Sequence, residues 1–189
     1  MVKILYLGPE CIRILEHLQS FGDGVYRTEG KLTIPEFIES NYDFIISYGY
    51  RYIIPSSVTD HYDKRILNLH ISYLPWNRGA DPNFWSIIED TPKGVTIHFV
   101  DEGLDTGDII IQKKIELEET DTLRTSYKKL SDAIENLFLS NWNKIRTGEV
   151  IPKKQIGEGS FHYSKNKETY EYLLSNGWDT LISELERRR

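Results

Sequence analysis

Residues 66–108 read ILNLHISYLPWNRGADPNFWSIIEDTPKGVTIHFVDEGLDTGD, and this stretch says most about the fold. Asn68 and His70 stand two residues apart in a short apolar run, which predicts a buried strand that ends at His70. Asp105 stands in a glycine-rich turn over 103–107. An amide, an imidazole and a carboxylate at strand ends and tight loops can polarise a carbonyl group and move protons around it. This chemistry suits acyl or formyl transfer.

The two polar residues of this strand are expected on one side, because side chains two apart in a strand share a face. Sites in open α/β sheets gather at the carboxyl ends of strands, where His70 falls. There the Asn68 amide could donate to a developing oxyanion, the His70 imidazole could exchange protons, and Asp105 could relay a proton through water. The residues alone leave a second interpretation open, in which Asn68 and His70 cap the strand and Asp105 only forms a turn. His98 and His162 could line the site, but structural roles are expected for both.

Outward from this stretch, apolar runs and amphipathic segments alternate along the chain. Further strands are expected over 2–7, 44–47, 95–100 and 109–115, and a short one near Val25. Helices are expected over 10–18, 82–89 and 122–146, with short ones after Pro35 and Pro55 and a final one over 167–174 or 178–185. Asp121 is the expected N-cap of the long helix, and Gly148 its stop. The order of elements predicts a Rossmann-like α/β fold, with a mostly parallel sheet flanked by helices.

Composition limits the functions that this chain can have. It has 189 residues, a net charge of −6 and a single cysteine, Cys11. The acidic balance gives no electrostatic footprint for nucleic acid, and one cysteine cannot build a disulfide or a Cys-rich metal site, so no metal is expected. Residues 1–10 are too short an apolar run for a signal peptide or a membrane span, so we expect a cytoplasmic protein with no membrane partner. We predict one catalytic domain over 1–150 and a C-terminal extension over 151–189 that packs on the same domain.

Two motifs resemble those of a known enzyme family. NLHISYLP at 68–75, with Arg78-Gly79 after it, resembles the N-x-H-x-S-x-L-P…R-G signature of the folate-dependent formyltransferases. GVTIH at 94–98 followed by DEGLDTGD at 101–108 resembles their second motif. That family includes methionyl-tRNA formyltransferase, glycinamide ribonucleotide formyltransferase and the nucleotide-sugar N-formyltransferases. The resemblance is close over 43–115 and loose elsewhere, and the segment before it is short by one strand–helix unit, which implies a shortened N-terminal half.

The resemblance implies a Rossmann-like formyltransferase domain that uses N10-formyltetrahydrofolate as cosubstrate, with Asn68, His70 and Asp105 on the catalytic positions. By this analogy the substrate amine attacks the formyl carbon directly. Asn68 and protonated His70 stabilise the oxyanion, and Asp105 supports His70 and helps to move a proton to the leaving folate nitrogen. The loops around 48–54 and 100–105 would hold the pterin in a mostly apolar slot. The residues expected there are Tyr48, Gly49, Tyr52, Ile53, Ile54, Val100, Asp101, Gly103 and Leu104.

Differences within the family point to the acceptor. The segment after the long helix is too short for the RNA-binding barrel of methionyl-tRNA formyltransferase, which argues against tRNA. The loop over 75–85 and the run GSFHYSK at 159–165 most resemble the nucleotide-sugar N-formyltransferases. We therefore expect transfer to a nucleotide-linked amino-dideoxy sugar, such as dTDP-4-amino-4,6-dideoxyglucose. The residues expected to bind this substrate are Ser72, Trp76, Asn77, Arg78 and Gly79.

Several alternatives stay open at this stage. The acceptor could be glycinamide ribonucleotide or another small amine. The chain could hydrolyse formyltetrahydrofolate, because water would only have to replace the amine. It could also be a non-catalytic module that binds folate or a nucleotide. The aromatic residues permit a homodimer, although no interface pattern stands out.

Overall fold

The computed structural model describes residues 1–188, with side chains as far as Arg187, so residue 189 of the predicted extension lies outside the described residues. The first half consists of β1 (Lys3–Leu7), α1 (Ile12–Ser20), β2 (Gly24–Thr28), α2 (Ile34–Ile38), β3 (Phe44–Ser47), α3 (Ser56–His61) and β4 (Ile66–His70). The middle consists of β5 (Arg78–Gly79), α4 (Pro82–Ile88), β6 (Gly94–Phe99), β7 (Ile109–Lys114) and α5 (Leu123–Arg146). Then follow β8 (Phe161–His162), 3₁₀ turns over Ser164–Leu173 and Gly177–Asp179, and α6 (Ile182–Arg188).

Within the described residues, six strands form the main sheet in the order β2-β1-β3-β4-β6-β7. Strands β1 to β4 pair in parallel, whereas β6 and β7 are antiparallel to their neighbours. The central strands β3 and β4 are mostly apolar, as expected where helices pack on both faces of a sheet. The predicted α/β fold with a mostly parallel sheet is therefore confirmed.

Two hydrophobic clusters lie on opposite faces of this sheet. On one face α1 and α5 bury Ile14, Phe138 and Trp142 against the strands. On the other face α2 and α3 bury Phe37 and Val58. Each fully buried side chain of this size contributes about 1.5–3 kcal/mol relative to an exposed one. Packing on both faces holds β3 and β4 in place, and their carboxyl ends lie at the same end of the sheet.

The start of α5 differs from the prediction by one residue. Thr122 is the N-cap, and its side chain accepts the backbone N–H of Thr125. The prediction that Asp121 caps this helix is wrong, because its buried carboxylate instead accepts hydrogen bonds from the Glu118 N–H and the Lys129 ammonium. The predicted stop is confirmed, since Gly148 follows the last turn at φ +74°.

The last part of the chain returns across the domain. Strand β8 pairs in parallel with β5, Lys153 pairs with Ile109, and Leu181 pairs with Thr122. The last helix differs from the prediction. Residues 167–174 lie mostly in 3₁₀ turns, and the final α-helix begins at Ile182. We keep the division into residues 1–150 and 151–189 as a proposal. Among the described residues, no helix is both long and apolar enough to cross a lipid bilayer.

Candidate active site

Strand β4 delivers two polar side chains to one carboxylate. Asn68 Nδ2 donates to Asp105 Oδ1 at 3.0 Å, and His70 Nδ1 lies 3.7 Å from Asp105 Oδ2. Leu67 and Leu69 point to the opposite side and pack in the cluster beneath α5. Because side chains alternate along a strand, the Asn68 amide and the His70 imidazole lie on the same face of β4, near its carboxyl end.

Asp105 reaches this point from the turn between β6 and β7. Its backbone is left-handed at φ +54°, a conformation that aspartate tolerates better than most residues. Its Oδ2 accepts the backbone N–H of Gly79 at 2.8 Å, and its side chain is only 9% exposed. The carboxylate is thus held from two directions, by β4 and by the β5 segment.

Burial alone would raise the pKa of the Asp105 carboxyl. The nearby His70, the hydrogen-bonding and charge interactions of His98, and the Gly79 N–H oppose this effect and together hold the pKa below its usual value. The group therefore stays ionised at neutral pH. It can orient and stabilise a protonated imidazole, but it keeps a proton only briefly.

His98 is a fourth member of the cluster. Its Nε2 lies 3.4 Å from Asp105 Oδ1 and 3.3 Å from Asn68 Nδ2, and the residue is 1% exposed. Its Nδ1 lies 2.7 Å from the carbonyl oxygen of Phe99 and can donate to it. The structure thus brings His98 to the site, whereas the sequence led us to expect a structural role. The signal that could have found it is the pairing of β4 with β6, which sets His98 opposite Asn68.

The loop after β4 fixes the His70 ring. His70 Nε2 lies 3.1 Å from the carbonyl oxygen of Asn77, so this nitrogen can donate to the loop while Nδ1 faces Asp105. Asn77 is fully buried, and its amide donates to Thr91 Oγ1 at 2.7 Å. Ser72 is 2% exposed, and its hydroxyl donates to the carbonyl oxygen of Trp76. Ser72 and Asn77 therefore hold the loop together from within.

The other residues expected to bind substrate differ in what they present. Trp76 is 37% exposed and is available to a ligand. The Arg78 guanidinium donates twice to Gln155 Oε1, at 3.1 and 2.8 Å. Gly79 lies at φ +86°, and a Cβ there would overlap the carbonyl oxygen of His162. Only a glycine can therefore bring its N–H to Asp105 at this point.

The two loops expected to hold the pterin lie on the α2/α3 side of the sheet. Ile54 and Val100 pack against the same hydrophobic cluster. Tyr52, Ile53 and Leu104 are exposed apolar side chains, with 43, 81 and 44% of their surfaces accessible. In these loops, some apolar side chains thus pack against the core and others face the solvent.

Three other residues of these loops have structural tasks. The Asp101 carboxylate accepts the Gly103 N–H and the Thr106 hydroxyl, which shapes the turn before Asp105. The Tyr48 hydroxyl donates to Glu135 on α5 at 3.2 Å, on the opposite face. Burial raises the pKa of Tyr48, so it remains a donor.

An apolar pocket that opens to solvent lies between the starts of α4 and α5 and the C-terminal segment. Ile71, directly after His70, forms one end. The rings of Tyr127 and Trp178 meet edge to face at 5.6 Å and are 45 and 44% exposed. Lys167, which also lines it, donates to Asp81 at 2.8 Å. Among residues 1–188, no group of three or more His, Cys, Asp or Glu is placed to hold a metal ion.

Comparison with known proteins agrees with this geometry. Residues 32–141 match the protein family described as Formyl transferase. The chain belongs to this formyltransferase family. The match contains Asn68, His70, His98 and Asp105, and it leaves β1 and β2 outside.

Two curated formyltransferases are similar in sequence. A methionyl-tRNA formyltransferase of Prochlorococcus marinus is 33% identical over 183 residues, which cover 86% of this chain and 55% of the relative. A dTDP-4-amino-4,6-dideoxyglucose formyltransferase of Mycobacterium bovis is 32% identical over 166 residues, which cover 88% of this chain and 70% of the relative. The chain thus spans little more than half of the first relative and about two thirds of the second.

One solved structure is similar along its whole length. The formyltransferase PseJ from Anoxybacillus kamchatkensis has a TM-score of 0.95 and 51% identity, and the match covers 99% of this chain and 100% of that chain. It was solved in complex with UDP-4,6-dideoxy-4-formamido-L-AltNAc and tetrahydrofolate. Among formyltransferases, this chain therefore shares its whole architecture with a sugar-modifying member.

Proposed function

We propose that this formyltransferase moves the formyl group of N10-formyltetrahydrofolate to the amino group of a nucleotide-linked 4-amino-4,6-dideoxy sugar. The observation that carries the proposal is the convergence of Asn68, His70 and Asp105 in a chain so similar to a protein solved with a formylated UDP-sugar and tetrahydrofolate. A UDP-linked sugar is therefore the first acceptor to test, ahead of a dTDP-linked one.

The donor fits the side of the sheet that carries the two exposed loops. A pterin is flat, and such ligands are usually held in apolar slots by a few polar groups. Tyr52, Ile53 and Leu104 offer apolar surface, and the backbone of the same loops offers donors and acceptors. In this arrangement the formyl group points toward β4 and the triad.

The amine attacks the formyl carbon, and negative charge develops on the formyl oxygen. The Asn68 amide stabilises that charge through a hydrogen bond, which in comparable sites is worth about 3–4 kcal/mol, and protonated His70 adds a nearby positive charge. One Asn68 N–H is held by Asp105 at 3.0 Å. The other faces His98 at the longer distance of 3.3 Å and is the one that the oxyanion can take over.

The reaction is balanced by one proton transfer. The attacking nitrogen loses a proton, and the folate nitrogen gains one as the C–N bond to it breaks. Asp105 stays ionised, so it stabilises the His70 cation and passes the proton through water without storing it. Within the described residues the cluster offers no nucleophile placed to form a covalent intermediate, and direct transfer needs none.

We assign the base of the acceptor to the apolar pocket, which Ile71, the residue after His70, helps to line. Its aromatic walls, Tyr127 and Trp178, can stack on a planar base, and Lys167 can donate to polar groups of the nucleotide. Trp76 offers a further exposed ring on the loop after β4. A cytoplasmic location and a homodimer remain parts of this proposal, and sedimentation of the purified chain measures the second.

The test is a transfer assay with the purified chain. N10-formyltetrahydrofolate is offered with the UDP-linked 4-amino-4,6-dideoxy sugar, with dTDP-4-amino-4,6-dideoxyglucose, or with glycinamide ribonucleotide. We expect a sugar product heavier by one formyl group, together with tetrahydrofolate. Formate release without an acceptor would instead indicate a hydrolase. No product and no formate, with folate still bound, would indicate a non-catalytic module.

A further inference from the structure

Gln155 links two parts of the site that are far apart in sequence. Its Nε2 donates to the carbonyl oxygens of Asp105, at 2.8 Å, and Gly107, at 2.9 Å. Its Oε1 accepts from Arg78 Nε at 3.1 Å and from Nη2 at 2.8 Å. Both amide hydrogens and both oxygen lone pairs therefore have partners.

Both sets of contacts flank the catalytic carboxylate. The Asp105 backbone is left-handed, so neighbouring contacts must hold it in place. Gln155 binds the carbonyl groups on both sides of Thr106, which fixes the direction in which the turn presents the Asp105 side chain. On the other side, Arg78 precedes Gly79, whose N–H binds Asp105 Oδ2. One side chain thus sets the distance between the turn and the β5 segment.

We propose that Gln155 is a positioning residue for the transfer reaction and acts through Asp105. The C-terminal segment is then a part of the active site, since it supplies the group that aims the carboxylate. This inference rests on the proposed function for its kinetic consequences. The competing explanation is that Gln155 only fastens residues 151–162 to the domain.

Two variants of Gln155 separate these explanations. Gln155→Ala removes all four hydrogen bonds. Gln155→Glu keeps an oxygen for Arg78, with an added opposite charge, but removes both donors to the turn. Asn141→Ala is the matched control, because Asn141 is a part-buried amide side chain on α5 that donates to the carbonyl oxygen of Leu137 at 2.7 Å, outside the loops of the site.

We expect kcat to fall at least tenfold in both Gln155 variants, since small misplacements of catalytic groups have large effects on rate. KM for the nucleotide sugar and for the folate should stay within about threefold. Gln155→Glu should lose less melting temperature than Gln155→Ala, because its ion pair with Arg78 still fastens the segment. If Gln155→Glu keeps the kcat of the wild type, or if Asn141→Ala loses as much as the Gln155 variants, the proposal is overturned.

Backbone hydrogen exchange gives a readout that needs no turnover. The Gly79 N–H binds Asp105, whereas the N–H groups of Arg78 and Ala80 bind the carbonyl oxygens of Ser160 and His162 in the C-terminal segment. We expect Gln155→Glu to speed exchange at Gly79 and to leave Arg78 and Ala80 protected. Equal loss at all three would show a fastening role and overturn the proposal. If the wild type transfers no formyl group, the proposed function fails and this exchange pattern still decides the structural claim.

Discussion

Asp105 organises the site because its two oxygens have different partners. Oδ1 binds Asn68 and faces His98, whereas Oδ2 binds the Gly79 N–H and faces His70. Its low pKa follows from those neighbours and not from exposure to solvent. A neutral side chain of the same shape should therefore keep the fold and lose the chemistry.

The first prediction tests this point with Asp105→Asn. The variant keeps the size of the side chain but removes the charge that stabilises protonated His70. We expect kcat to fall by about 10²–10⁴-fold, the range found when acid–base groups are removed. Steady-state kinetics with saturating folate measure it. Asp132→Asn, at an exposed residue of α5 that pairs with Lys128, is the control and should stay near wild type. A kcat within threefold of wild type would refute the role of the carboxylate.

The second prediction concerns stability and pH. The pKa of Asp105 is lower in the folded chain than in the unfolded chain, where it is about 3.9. Its contribution to the free energy of unfolding is therefore complete above that value and is lost as the pH falls toward the folded pKa. The difference in unfolding free energy between wild type and Asp105→Asn should shrink as the pH is lowered from about 6 to 3. Denaturant titrations at several pH values measure it, and a constant difference would contradict the shift.

Local patterns could predict part of this site and not the rest. Asn68, His70 and Asp105 follow from strand alternation and a turn, which are properties of neighbouring residues. Ser72 and Asn77 were expected to touch substrate, but the structure buries both. Asn77 is held there by a distant contact, because its N–H donates to Ser160 Oγ. No local pattern around residue 77 shows that contact.

Among the elements, local sequence patterns predict the longer strands but not the shortest ones. The strands Phe44–Ser47 and Ile66–His70 could be predicted to the residue, because each is an apolar run covered on both faces. The two-residue strands β5 and β8 could not, because backbone groups alone pair them. Strand β5, which brings the Gly79 N–H to Asp105, is therefore a part of the site that local sequence patterns do not predict.

The third prediction tests how the C-terminal segment approaches the loop after β4. Gly159 and Gly157 both have positive φ, but only at Gly159 would a Cβ overlap the carbonyl oxygen of Pro75. Gly157→Ala should cost about 1–2 kcal/mol, the usual cost of left-handed backbone for a residue with a Cβ. Gly159→Ala should cost more and also lower kcat, because Ser160 binds Asn77. Thermal unfolding and kinetics measure both effects. Equal losses in the two variants would contradict the close approach.

At the scale of the whole molecule, the chain works as one unit. In the proposed function, the carboxyl end of β4 supplies reacting groups, the α2/α3 side supplies the donor slot, and the segment after α5 supplies Gln155 and Trp178. A net charge of −6 gives no general attraction for anionic nucleotides. In the proposed function, affinity for the acceptor therefore comes from local groups, and we assign these to the pocket lined by Tyr127, Lys167 and Trp178.

The fourth prediction tests that pocket with Trp178→Ala. Stacking on an aromatic side chain is worth about 1–3 kcal/mol per base, so KM for the nucleotide sugar should rise by roughly fivefold or more. KM for the folate should stay unchanged, because its slot lies on the other face. Tyr172→Ala is the matched control, since Tyr172 lies in the same segment, is 74% exposed and does not line the pocket. A rise in KM for the folate alone would assign the pocket to the donor. No change in either KM would remove Trp178 from binding, and the exposed ring of Trp76 would be the next aromatic side chain to test for the base.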